Sequence, residues 1–194
     1  TKARGLFINV PQQRVVARAY DKFFNINERP ETKFDVLQLK LQFPVTAYVK
    51  ENGFLGIVSY DDANDDLFVT TKSSPDGDFS VWLKEMLHEK LPQDTLDAIR
   101  VFAKENGVSF VFECVDMKRD PHIIEYPESQ LFLLDIVYND MQYRKMHYEQ
   151  LCEFANEHGI RHKEKAYVLE TWQDFFDWYY AVMEDGWKYD GRYI

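Results

Sequence analysis

Val45-Thr46-Ala47-Tyr48-Val49-Lys50-Glu51-Asn52-Gly53-Phe54-Leu55-Gly56-Ile57-Val58-Ser59-Tyr60 places two β-rich runs on either side of a polar break. Residues 45–50 and 54–60 are dense in branched and aromatic side chains, which suit a half-buried pleated surface, and Asn52-Gly53 marks a turn. Upstream, residues 5–10 and 14–20 flank Pro11-Gln12-Gln13 as a hairpin. Downstream, residues 66–73 form a further strand after the polar tip Asp61-Asp62-Ala63-Asn64. The first 73 residues therefore read as strands.

Helical spacing then takes over. Asp78 is placed to cap a helix with Val81, Trp82, Met86 and Leu87 on one side. A second helix opens near Thr95, carries Leu96, Ile99, Val101 and Phe102, and stops at Asn106-Gly107. Strands return at 108–115 and 131–138. A helix from Tyr148 to about His158 ends at Gly159, and a short strand follows at 166–169. Thr171 caps the last helix, whose Trp172, Phe175, Phe176, Trp178, Tyr179 and Val182 read as core. No repeat, low-complexity tract or linker divides the chain, so one domain over 1–194 is expected. Strand and helix runs without regular alternation argue for α+β.

The composition narrows the class. The 194 residues are 45% hydrophobic, 29% charged and 16% aromatic, enough for a folded core and a lined pocket. No apolar run is long enough to span a bilayer, and no signal peptide opens the chain. Cys114 and Cys152 make neither a disulfide framework nor a zinc set. A soluble, intracellular, most simply cytoplasmic domain is expected. The net charge is −10, yet residues 1–50 hold 9 basic and 4 acidic side chains, against 14 and 29 in the remainder. Such a chain is a poor general nucleic-acid binder but can build a local anion site in its basic first quarter.

Lys50 is the sharpest candidate for chemistry. A lysine becomes a nucleophile when burial or neighbouring cations depress its pKa, and a strand end at a tight turn can hold it rigidly. Gly53 would let a phosphate or nucleoside approach the backbone. Other constellations are thin. His158 and His162 are split by Gly159, which argues against zinc, and Asp61, Asp62, Asp65 and Asp66 lack calcium-loop spacing. Asp76-Gly77-Asp78 reads as a turn into a helix, and Cys114 as a buried strand cysteine. Neither a P-loop nor a Gly-x-Gly-x-x-Gly motif is present.

Five ordered segments carry a family resemblance: Ala3-Arg4-Gly5-Leu6-Phe7, Ala17 to Asn25 with its Lys22-Phe23-Phe24-Asn25, Lys50-Glu51-Asn52-Gly53, Thr70 to Ser74, and Val111-Phe112-Glu113-Cys114-Val115. Over residues 3 to about 137 they resemble the adenylyltransferase domain of RNA ligases. The nearest branch is the T4 RNA ligase 1 type, which includes the ligase domain of fungal tRNA ligases. The resemblance implies an α+β nucleotidyltransferase (ATP-grasp-like) fold with antiparallel sheets flanked by helices. It also implies an ATP-dependent RNA ligase using Mg2+ or Mn2+. A lysine forms lysyl–AMP, the AMP passes to an RNA 5′-phosphate, and a 3′-hydroxyl seals the strand. The partners implied are RNAs with 5′-phosphate and 3′-hydroxyl ends, tRNA halves among them, and end-processing domains fused in a parent protein.

By the same resemblance the nucleophile falls on Lys50 and the motif glycine on Gly53. Arg4 would contact the nucleotide and its phosphates, Lys22 a phosphate, and Phe24 the pocket wall. Lys72 matches a lysine one hairpin beyond the nucleophile, and Glu113 would bind the ribose or help hold the metal. Phosphoryl transfer needs several cations around one centre, and Arg4, Lys22, Lys50 and Lys72 could supply them if strands converge. The family's later Glu-Gly and Lys-x-Lys motifs are not in their expected places. Lys163-Glu164-Lys165 comes too early and reads as a solvated edge, while Glu184-Asp185-Gly186 and Asp190-Gly191 read as loop. The chain is therefore expected to be a fragment truncated at its C-terminus. Two alternatives stay open: a guanylyltransferase or DNA ligase of the same superfamily, and a non-catalytic nucleotide- or RNA-end-binding module.

Overall fold

A computed structural model describes residues 2–121, 124, 126–189 and 192–193. Two compact units share the chain: Thr1–Lys22 with Asn52–His162, and Phe23–Glu51 with Lys163–Ile194. The pair Asp190-Gly191 lies outside the described residues.

The first unit is built on a four-stranded antiparallel sheet. Strands β4 (Phe54–Asp61), β5 (Asp66–Thr71), β6 (Val108–Val115) and β7 (Gln130–Tyr138) pair in the order β5-β4-β6-β7. β6 sits centrally because seven of its eight side chains, all but Glu113, tolerate or demand burial. One sheet face carries Ile57, Val111 and Val137 against Ala17 and Ala19 of a hairpin, β1 (Ala3–Asn9) and β2 (Arg14–Asp21). These two alanines are fully buried, and their small side chains admit the hairpin close to the sheet.

The opposite face carries Val58, Phe110, Phe112, Leu133 and Ile136 against helices α2 (Asp78–Lys90), α3 (Gln93–Asn106) and α4 (Tyr148–Glu157). In α3 the buried Leu96, Ile99 and Ala103 recur at three- and four-residue intervals, and Gly107 ends the helix in the left-handed region at φ 60°. In α2 the expected face is corrected. Ser80, Leu83, Met86 and Leu87 are buried, while Val81 is exposed, because position 81 lies about 100° around the helix from position 80. Asp78 is the first helical residue rather than the cap, and the Gly77 carbonyl accepts the Ser80 N–H.

In the second unit, β3 (Val45–Tyr48) pairs antiparallel with β8 (Lys165–Leu169), and β9 (Lys188–Tyr189) pairs antiparallel with β10 (Arg192–Tyr193). The sequence reading of strands throughout the first 73 residues misses α1 (Phe34–Lys40), which follows a 3-10 turn at Pro30–Thr32. Phe34 from α1 packs edge-on against Trp172 and Phe176 of α5 (Trp172–Glu184), with Tyr179 at 5.0 Å between ring centroids. Thr171 caps α5 as expected: its hydroxyl accepts the Asp174 N–H, and the Asp174 carboxylate accepts the Thr171 N–H. The all-core reading of α5 is corrected, since Phe175 and Val182 are buried but Phe176 is exposed.

Candidate functional site

Asn52-Gly53 is not a hairpin turn. β3 pairs with β8 and β4 pairs with β5 and β6, so the segment between β3 and β4 links strands that share no ladder. Its backbone is fixed by side chains instead. The Gly53 N–H donates to Glu113 Oε1 at 2.9 Å, and the Asn52 N–H donates to the Tyr126 hydroxyl at 2.8 Å. A Cβ at Gly53 would stand 2.1 Å from the Cys114 carbonyl oxygen. In this structure β6 itself occupies the space that a side chain at 53 would take, so packing alone demands glycine there.

Glu113 is the half-buried exception on β6, opposite Leu55 of β4 and Phe132 of β7. It holds a backbone amide with Oε1, and its charge helps raise the pKa of Tyr20. Tyr20 lies on β2, and its hydroxyl donates to Asp135 Oδ2 at 2.6 Å while Lys145 donates to Oδ1 at 2.9 Å. Burial first, and then Asp135, hold the Tyr20 phenol well above the ordinary tyrosine range. Asp135 is buried on β7 and carries no sequence motif that would have marked it. Cys114 is fully buried, with its thiol pushed up by burial and by Glu113, as befits a packing residue.

Arg4, Lys22 and Lys72 are all exposed. Arg4 pairs with Tyr20 across the hairpin, and the Lys22 N–H donates to the Lys2 carbonyl at 2.7 Å. Gly5, at φ 79°, lies close enough to β5 that a Cβ there would be 3.4 Å from Lys72 Cα and 2.6 Å from Ile57 Cδ1. The first unit thus gathers the backbones of Arg4, Lys22 and Lys72 at the hairpin's open end and the end of β5.

In the second unit Lys50 is exposed, and its Nζ donates to the Glu51 carbonyl at 3.2 Å. Glu51 is buried, with Arg192 at 3.9 Å. Phe24 is half-buried beneath the Arg29 guanidinium, 4.7 Å from the ring centroid. The solvated-edge reading of Lys163 is corrected: it is 7% exposed, and its ammonium stands 4.4 Å from the centroid of the Tyr48 ring. The Val49 N–H donates to the Glu164 carbonyl, so the Lys163-Glu164-Lys165 segment runs beside the strand that delivers Lys50. Pairing so distant in sequence leaves no local signal.

Among the described residues, no group of three or more His, Cys, Asp or Glu side chains could hold a metal ion. Nor, among the described residues, is any helix long and apolar enough to cross a membrane.

The fold is that of nucleotidyltransferase-type ligases. An archaeal ATP-dependent RNA ligase superposes with a TM-score of 0.61 at 13% identity, over 93% of this chain and 46% of that one. The RNA ligase family model matches residues 2–194, and the chain belongs to that family. A tRNA ligase of Candida albicans is 26% identical over the whole chain, which spans 26% of that relative's length. A second relative matches over a shorter stretch. The tRNA ligase 1 of Schizosaccharomyces pombe is 47% identical over 57 residues, covering 27% of this chain and 7% of the relative.

Proposed function

We propose that this chain is an adenylyltransferase portion of an ATP-dependent RNA ligase, acting in RNA repair or tRNA splicing within the cell, with Lys50 as nucleophile. The observation that carries the reading is an exposed lysine followed, two and three residues on, by backbone amides that Tyr126 and Glu113 hold. Membership of the RNA ligase family across residues 2–194 supports it.

Lys50 Nζ attacks the α-phosphorus of ATP, the bond to the β-phosphate oxygen breaks, and pyrophosphate leaves as the lysine gives up a proton. An oxygen of an RNA 5′-phosphate then attacks the same phosphorus. The phosphorus–nitrogen bond breaks and the lysine is restored. Finally a 3′-hydroxyl attacks the activated 5′-phosphate and AMP departs. Arg4, Lys22 and Lys72 serve as phosphate contacts because negative charge accumulates on the oxygens during each transfer. Glu113 would bind the ribose or help to hold Mg2+ or Mn2+, and Phe24 would line the pocket wall. A divalent ion, when bound, would supply further positive charge for the phosphates.

Intact mass spectrometry after incubation with ATP and Mg2+ or Mn2+ tests the reading. A gain of one AMP that Lys50→Ala abolishes is the expected result. ATP binding without any covalent gain would replace it with the non-catalytic nucleotide-binding reading. A gain of GMP in preference to AMP would point to guanylyltransferase chemistry.

A further inference from the structure

We infer that Tyr126 is a positioning residue for Lys50, acting through the Asn52 amide; this rests on the reading of Lys50 as nucleophile. Tyr126 lies outside the five segments that carry the family resemblance. Its hydroxyl accepts the Asn52 N–H at 2.8 Å, beside the Gly53 N–H that Glu113 accepts at 2.9 Å. Two successive amides are thereby held by two side chains from different stretches of chain, one on β6 and one beyond it. Gly53 is pressed against the Cys114 carbonyl from the same strand. With β3 and β4 sharing no ladder, no hairpin hydrogen bond could fix this segment, and side chains replace it.

The consequence follows from covalent geometry. Asn52 is two residues from Lys50, so fixing its peptide plane limits the directions in which the chain carrying Lys50 can run. A nucleophile must meet phosphorus in line with the leaving oxygen, and loss of one constraint broadens the approach without removing any phosphate contact. Tyr126 therefore affects the rate of lysyl–AMP formation rather than nucleotide affinity. Its ring packs near Phe132 at 6.5 Å between centroids, a contact that phenylalanine retains.

Tyr126→Phe in the 194-residue chain tests this by two independent readouts. Amide hydrogen exchange followed by NMR should accelerate about tenfold at Asn52, with Gly53 and the β6 amides little changed. The single-turnover rate of adduct formation should fall about 3- to 10-fold, the range of one uncharged hydrogen bond, with the ATP concentration at half-saturation unchanged and the Tm lowered by no more than about 4 °C, so that the chain stays folded in the assay. Unchanged exchange at Asn52 would overturn the clamp. Faster exchange with a wild-type adduct rate would overturn the positioning role, as would a fall in rate no larger than the fraction of chain unfolded at the assay temperature. A wild-type chain that forms no adduct at all would sink the reading of Lys50, and the positioning role with it, while the exchange data would still decide the clamp.

Discussion

Gly53 illustrates how a single residue can serve two readings that only geometry separates. From the sequence its lack of a side chain suggests an opening for a nucleotide. In the structure the missing Cβ would stand 2.1 Å from the Cys114 oxygen and 2.6 Å from its carbonyl carbon. Both are backbone atoms of the central strand and cannot give way cheaply. Gly53→Ala should therefore cost about 3 kcal/mol or more, at the upper end for overpacking. Equilibrium unfolding in urea checks it. A variant of wild-type stability that has lost only nucleotide binding would restore the open-approach reading. Glu113 is likewise a joint: its carboxylate ties β6 to the segment after Lys50 before any ligand is considered.

At the level of elements, local signals were read well and distant pairings were not. The bounds of β6 follow from a run of strand-forming side chains broken only by Glu113 and preceded by Asn106-Gly107, and the end of α3 from Gly107 in the left-handed region. The start of α5 follows from the Thr171–Asp174 capping box. Thr171→Ala should lower stability by about 1 kcal/mol, because it removes an acceptor for one of the otherwise unpaired amides of the first turn. Urea unfolding monitored by the tryptophans Trp172 and Trp178 on that helix measures it. An unchanged midpoint would mean that the aromatic contacts with Phe34 alone define the helix start. By contrast, α1 is seven residues long, and its Phe34 is committed to α5 by tertiary contact rather than by periodicity. The β3–β8 pairing, and with it the burial of Lys163 beside Tyr48, joins segments far apart in sequence. The same limit applies to the candidate site. Lys50, Gly53 and Glu113 stand out by residue type and order, whereas Tyr126 and Asp135 matter through hydrogen bonds that no spacing encodes.

Across the whole molecule, charge sets what kind of RNA contact the chain can make. The net charge of −10 opposes a polyanion, and the basic first quarter is the exception. Arg14 is paired with Asp62, and Arg18 is buried against Asp21, so neither adds to an exposed anion-binding surface in the way Arg4, Lys22 and Lys72 can. If those three make the phosphate contacts, single-stranded RNA binding should release few counterions. Each contact contributes about −0.7 to the slope of log affinity against log salt, giving a slope of about −2 in all. Fluorescence anisotropy of a 5′-phosphorylated oligoribonucleotide between about 50 and 200 mM salt measures this slope. Arg4→Ala, Lys22→Ala and Lys72→Ala should each reduce its magnitude by about 0.7. A slope of about −5 or steeper would require a broad basic track that the acidic body does not offer. A slope that none of the three alanine variants changes would place the phosphates elsewhere on the protein. Recognition by a few cations favours a defined phosphate over the length of a strand, which is what the proposed action on RNA termini requires.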